Sequence, residues 1–285
     1  MAVVTNKHHL PGFHSLESSA IIASASDFAG SPRQGAGWCP RCPIHSVLEE
    51  TASRGSLTGG GRTMLIISHR GVCARNPENT LEAFQAAIAL GVDGIETDVR
   101  LSADRLPVLC HDRITPDGRE VSRLTRDELA EALGHPVPTL DEALDIWASG
   151  LWNVEIKTPA AAEATHEVLR EYAGSHNILI TSFWHNLVET TGQDRRLRYG
   201  ALLANRPADH ESLNAMLDRL PSLSCVVWDY EVLDSALLGQ LLDRGIKSLC
   251  YGVKTKEEHA ACWTLPLSGV ITDHPDFLLS YGSLR

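Results

Sequence analysis

Four short segments of this chain carry side chains that can move protons, hold a cation and grip an anion. His69-Arg70-Gly71 sets an imidazole beside a guanidinium, and His111-Asp112 supplies a second imidazole. Glu96-Thr97-Asp98 spaces two carboxylates by two residues, and Glu155-Ile156-Lys157 does the same with a carboxylate and an ammonium. Side chains alternate along a strand, so Glu96 and Asp98 share one face, with Ile95, Thr97 and Val99 on the other. Glu155 and Lys157 likewise share a face, opposite Val154 and Ile156. If a fold gathers Glu96, Asp98 and Glu155, their repulsion and lost hydration demand a neutralising charge. One hard divalent cation with oxygen ligands, Mg²⁺ or Ca²⁺, meets that demand. The Arg70 fork and the compact charge of Lys157 suit phosphate oxygens. His69 and His111 can divide acid and base work, and a cation would polarise a phosphodiester.

Each piece has a plainer reading. A lone histidine at a strand end is more often a surface or capping group. Glu96 with Asp98 could belong to an exposed edge strand, and Glu155 with Lys157 could be a simple ion pair. Their coincidence at one end of one fold is what favours a site.

The elements that would position them begin at Met64. Strands are predicted at Leu65–Ser68, Gly94–Val99, Trp152–Lys157, Ile178–Ser182, Tyr199–Leu203, Cys225–Asp229, Ser248–Tyr251 and Val270–Thr272. Amphipathic helices are predicted at Thr80–Leu90, Leu140–Ala148, Ala160–Tyr172, His185–Thr191, His210–Leu220, Ser235–Arg244 and Lys256–Trp263. The apolar run Pro107–His111 follows the second strand too closely for a parallel crossover, so it reads as a hairpin excursion. The remaining rhythm is that of a TIM-type (β/α)8 barrel over 64–285, whose site lies at the C-terminal ends of its strands.

Composition narrows the ligand. The formal net charge is -11, and residues 1–63 hold only five of the 25 Lys and Arg and four of the 36 Asp and Glu. So acidic a chain does not suit a nucleic-acid backbone. No apolar run approaches the roughly 20 residues of a membrane span. The seven cysteines are odd in number, scattered and partly set in apolar runs such as Ser224-Cys225-Val226-Val227. That usage fits small buried hydrophobes in a reducing compartment, hence a cytoplasmic location.

Residues 1–63 show no sustained period and end in Ser56-Leu57-Thr58-Gly59-Gly60-Gly61-Arg62. They read as a disordered or non-native extension, with Met64 directly ahead of the first strand. Cys39-Pro40-Arg41-Cys42 with His45 resembles half a zinc site but lacks a second pair.

His69-Arg70-Gly71 followed by Pro77-Glu78-Asn79-Thr80, then Ile95-Glu96-Thr97-Asp98-Val99, Asp104, Pro107-Val108 and His111-Asp112, resembles the glycerophosphodiester phosphodiesterases. Val154–Lys157, Thr181-Ser182-Phe183 and Gly269–Pro275 extend the resemblance over essentially 64–285. It implies a metal-dependent barrel that hydrolyses small glycerophosphodiesters to glycerol 3-phosphate and an alcohol. On matching positions, it implies His69 and His111 as the acid–base pair. It also implies Glu96, Asp98 and Glu155 as ligands of one divalent cation, with Arg70 and Lys157 holding phosphate; Glu78 would orient Arg70 or its loop, or simply start the following helix beside Asn79. Departures fall at Arg113-Ile114-Thr115-Pro116, at the short stretch between Asp112 and Thr139, and at Cys250–Lys254. These bear on the head group rather than on the chemistry. The rival readings are a lysophospholipase D-like enzyme, which would share the site, and a non-catalytic barrel, which should have lost one of these residues.

Overall fold

A computed structural model describes residues 64–187 and 196–282. Its strands are β1 (Leu65–His69), β2 (Gly94–Leu101), β3 (Pro107–Leu109), β4 (Leu151–Ile156), β5 (Asn177–Ser182), β6 (Arg198–Leu203), β7 (Leu223–Asp229), β8 (Lys247–Tyr251) and β9 (Gly269–Thr272). They hydrogen-bond in the order β1-β9-β8-β7-β6-β5-β4-β2-β3, and a further β1–β2 pairing closes the ring. Only β3 is antiparallel, with Leu109 set against Val99 of β2. The other eight strands form the closed parallel barrel expected of the sequence, and β3 is the expected excursion.

Helices α1 (Leu81–Leu90), α2 (Arg126–Leu133), α3 (Leu140–Asp145), α4 (Ala162–Tyr172), α5 (His210–Arg219), α6 (Ser235–Asp243), α7 (Lys256–Cys262) and α8 (Pro275–Gly282) accompany the strands. Two of them, α2 and α8, are absent from the sequence reading. The first had a legible start. Thr125 and Glu128 form a reciprocal capping box, in which the Glu128 carboxylate accepts the Thr125 N–H at 2.8 Å. Helix α3 stops before the expected Ala148: the Ile146 and Trp147 N–H groups turn back to the Ala143 and Leu144 carbonyls, three residues behind them, and the Trp152 indole N–H donates to the Trp147 carbonyl at 2.8 Å. Residues 1–63, with the Cys39–Cys42 pair and His45, lie outside the described residues, as do 188–191 of the expected helix His185–Thr191.

Alternation along the strands sorts the interior. Leu65, Ile67, Leu151, Leu179, Leu202, Val227, Leu249 and Ile271 pack together inside the barrel. Ile66, Ile95, Val99, Trp152, Val154 and Ile156 pack outward with helix residues such as Phe84 and Leu169. Two residues beyond the inward apolar positions, the same face turns polar. His69 follows Ile67, Asn153 and Glu155 follow Leu151, and Glu96 and Asp98 follow the inward Gly94. Space inside is tight. A Cβ on Gly200 would lie 2.6 Å from Cys225 Sγ, so β6 needs a glycine at that point.

The excursion after β2 has an apolar nucleus of its own. Val108, Cys110, Val121, Leu124, Leu129 and Val137 bury one another beneath α2. It is tied to the barrel by the Cys110 N–H, which donates to the Asp98 carbonyl at 3.0 Å.

Candidate functional site

Three carboxylates converge at the C-terminal end of the barrel. One oxygen each from Glu96, Asp98 and Glu155 lies within 4.8 Å of the others, and the residues are only 3%, 0% and 8% exposed. The β2–β4 register sets Asp98 opposite Glu155, so adjacent strands deliver the cluster. Two cations face it. Lys157 Nζ lies 2.8 Å from Glu155 Oε1 and 3.2 Å from Asp98 Oδ1, and Arg70 Nε lies 2.9 Å from Asp98 Oδ2. Three negative groups against two positive ones leave one charge uncompensated.

The excess falls on Glu96. Its Oε2 is buried and has no hydrogen-bond partner from the protein. Burial, then the nearby Asp98 and Glu155 charges, pushes the Glu96 carboxyl well above the usual carboxylate range. Glu155 is raised too, by burial and then by Asp98. Burial acts on Asp98 in the same sense, but Lys157, Arg70 and a hydrogen bond from Asn79 outweigh it and hold that carboxyl low. An orphaned buried oxygen within an all-oxygen donor set fits a hard divalent cation. These three residues could therefore hold a metal ion.

The turn after β1 shapes the anion side. Arg70 adopts φ 56 and Gly71 φ 86, and a Cβ on Gly71 would meet the Ala83 backbone carbon of α1 at 2.6 Å. Only glycine lets helix and strand approach this closely with that backbone. The Arg70 guanidinium donates through Nη1 to Glu78 Oε2 at 2.9 Å. Its fork is thus stretched between Glu78 and Asp98, so of the parts open to Glu78 the contact with Arg70 is the one seen.

Both imidazoles are oriented by carboxylates. His69 Nδ1 lies 2.7 Å from Asp273 Oδ1, and its Nε2 faces Glu96 Oε2 at 3.8 Å. The hydrogen bond from His69, more than any other effect, holds the Asp273 carboxyl below its usual range. His111 Nδ1 lies 2.9 Å from Asp112 Oδ1. Its carbonyl accepts two hydrogen bonds from the Arg100 guanidinium, at 2.9 and 2.7 Å. A carboxylate can only accept, so in each pair Nδ1 carries the proton when the ring is neutral. Nε2 is left free to give or take one.

Two supporting residues escaped the sequence reading. Asn79, at φ 57, donates from Nδ2 to Asp98 Oδ2 at 2.9 Å. Its Oδ1 accepts from Thr97 Oγ1 at 2.7 Å and from the Asp98 N–H at 3.2 Å. Asp273 is the other. Both stand in the motif segments quoted above, but only the folded chain shows what they touch. At the rim, Phe183 and Trp184 are 44% and 50% exposed after β5, and the Trp184 indole donates to the Lys157 carbonyl at 3.2 Å.

The glycerophosphoryl diester phosphodiesterase family model matches residues 69–277. The chain belongs to this family. A glycerophosphodiester phosphodiesterase of Caldanaerobacter subterraneus is 28% identical over 240 residues, covering 76% of this chain and 96% of that protein. A human lysophospholipase D is 23% identical over 272 residues, covering 76% and 87% respectively. The crystal structure of a Thermotoga maritima glycerophosphodiester phosphodiesterase superposes with a TM-score of 0.69 at 26% identity, covering 78% of this chain and 99% of that one. An Oleispira antarctica phosphodiesterase, solved with the product sn-glycerol-3-phosphate, shares the fold at a TM-score of 0.68 and 22% identity, covering 77% and 96%. The chain is thus a phosphoric diester hydrolase on a TIM-type barrel. The convergent carboxylates, cations and imidazoles occupy the barrel end where this family's fold places its chemistry.

Proposed function

We propose that this glycerophosphodiester phosphodiesterase uses one divalent cation, Mg²⁺ or Ca²⁺, to hydrolyse small soluble glycerophosphodiesters to glycerol 3-phosphate and an alcohol. The observation that carries the reading is the buried Glu96–Asp98–Glu155 cluster with the bare Glu96 Oε2 beside His69. Glu96, Asp98 and Glu155 would hold the cation, which supplies Lewis-acid polarisation of the phosphodiester. Arg70 and Lys157 hold the non-bridging phosphate oxygens and set the phosphorus between the two imidazoles. One of His69 and His111 takes the proton of the attacking oxygen at its Nε2, and the other gives a proton to the leaving alcohol. The product class is the one named for the Oleispira antarctica neighbour.

Residues 64–285 form the catalytic unit in this proposal. No helix among the described residues is long and apolar enough to cross a membrane. Four buried free thiols, Cys110, Cys225, Cys250 and Cys262, act as small hydrophobes, which favours a reducing, cytoplasmic setting.

A second reading, hydrolysis of lysolipids, draws support from the human relative and from the exposed Phe183–Trp184 edge. The acidic barrel argues the other way, because an anionic leaflet repels it. The deciding experiment compares glycerophosphocholine with lysophosphatidylcholine at equal concentration, following release of choline with Mg²⁺, Ca²⁺ or EDTA. Metal-dependent cleavage of the water-soluble diester is expected. Faster cleavage of the lysolipid would replace the first reading by the second, and no release from either would sink both.

A further inference from the structure

Helix α7 buries an imidazole that touches none of the reacting groups. His259 is 0% exposed, with Nδ1 lying 2.6 Å from the Thr255 carbonyl oxygen and Nε2 2.7 Å from Thr272 Oγ1. A carbonyl can only accept, so Nδ1 carries the proton and Nε2 is the accepting nitrogen. Thr272 must then give its single hydroxyl proton to Nε2. Its oxygen remains free to accept from the His274 N–H, 2.9 Å away. Burial, ahead of every other influence, pushes the imidazole pKa down and favours this neutral form. The ring of His274 stacks on Phe277, which meets His259 edge-on at 5.3 Å.

Thr272 ends β9, and Asp273 follows it directly. Asp273, whose carboxylate holds His69, therefore lies between Thr272 and His274, and the Thr272 hydroxyl ties those two residues together across the turn while its proton goes to His259. We propose that His259 and Thr272 are positioning residues for His69, fixing the Asp273 carboxylate through the turn at residues 272–274. The proposal rests on the reading of His69 as an acid–base group.

The test uses the full chain and its rate on glycerophosphocholine. Thr272→Val keeps the β-branch but removes the hydroxyl, and is expected to lower kcat about tenfold with KM within about twofold, on the scale of lost supporting hydrogen bonds. Thr272→Ser, which keeps the hydroxyl, should recover most of the loss. In an Asp273→Asn background, Thr272→Val should cost less than about twofold more, because the two act through one contact. Nitrogen-15 spectra of His259 should show a neutral ring protonated on Nδ1. An additive loss in the Asp273→Asn background overturns the proposal, as does an unchanged kcat in Thr272→Val or a His259 ring protonated on Nε2. The spectrum does not depend on turnover, so it speaks even if Thr272→Val fails to fold. A wild-type enzyme inert on the diester sinks the catalytic reading itself, whereas full wild-type turnover with additive losses sinks only the coupling.

Discussion

His69 Nδ1 and Asp273 Oδ1, 204 residues apart in sequence, lie 2.7 Å from each other. The contact joins the end of the first barrel strand to the residue after the last one, across the seam where β1 pairs with β9. It also leaves Nε2 as the nitrogen of His69 that would exchange a proton in the proposed mechanism. Asp273→Asn can present either an oxygen or an N–H to Nδ1, and so loosens that choice. Its kcat should fall about 10- to 100-fold with little change in KM. Steady-state kinetics on the purified variant check this, and an unaltered kcat would leave Asp273 a bystander.

His69→Ala and His111→Ala should each lose roughly 10²- to 10⁴-fold in rate, the usual worth of a positioned acid or base. The double variant should lose less than the product of the two, since the pair serves one reaction path. Either single variant at near wild-type rate removes that histidine from the mechanism.

Chelation should abolish turnover, and Mg²⁺ or Ca²⁺ should restore it. A thermodynamic counterpart follows from Glu96. Above the ordinary carboxyl value of 4.5, the folded cation-free protein keeps a proton on Glu96 that the unfolded chain has released. Its contribution to stability therefore falls as pH rises from 4.5 toward the raised folded value. In EDTA, Glu96→Gln should melt higher than wild type at pH 8 and lose that advantage near pH 4.5. Added cation should raise the wild-type melting temperature at pH 8 far more than that of the variant. Parallel melting curves across pH would remove Glu96 from the cation site.

Asn79→Ala strips the Asp98 carboxylate, the Asp98 N–H and the Thr97 hydroxyl of a partner in the interior. The loss should be about 1–3 kcal/mol, as for other buried polar groups left unpaired. Alanine also tolerates the φ 57 backbone less well than asparagine does. Urea denaturation measures it, and a change below about 0.5 kcal/mol would show that the network relaxes freely.

A chain beginning at Met64 should fold and keep its activity, because the sequence before it shows neither a core pattern nor the catalytic groups proposed above. Insolubility or loss of rate in that shortened chain would show that residues 1–63 serve the barrel.

Glu96, Asp98, Glu155 and Lys157 were legible because a strand alternates strictly: a carboxylate at every second position of an otherwise apolar run declares an inward polar face. Their convergence followed once β2 and β4 were assigned to one barrel. Asn79 and Asp273 were not legible in the same way. Their parts depend on a left-handed turn and on ring closure between distant strands, and neither leaves a periodic mark. Helix α2 could have been found from Thr125-x-x-Glu128 with Gly134 beyond it, but its apolar face is short and meets the excursion, not the barrel. Helix α8 starts inside the closing motif, at Pro275, and its 8 residues are too few to show a clear helical period.

The separate nucleus beneath α2 has a consequence for how the protein comes apart. His111 rides on a body held by its own small core, whereas Glu96, Glu155 and His69 ride on strands of the closed ring. Partial opening of residues 107–138 would carry off one imidazole and leave the carboxylate cluster in place. Mild denaturant should then extinguish turnover at a concentration where cation affinity persists. Amides of Val121, Leu124 and Leu129 should exchange with solvent hydrogen sooner than those of Ile95 and Val154. On the proposed mechanism, such stress would remove proton transfer first and the cation site only later.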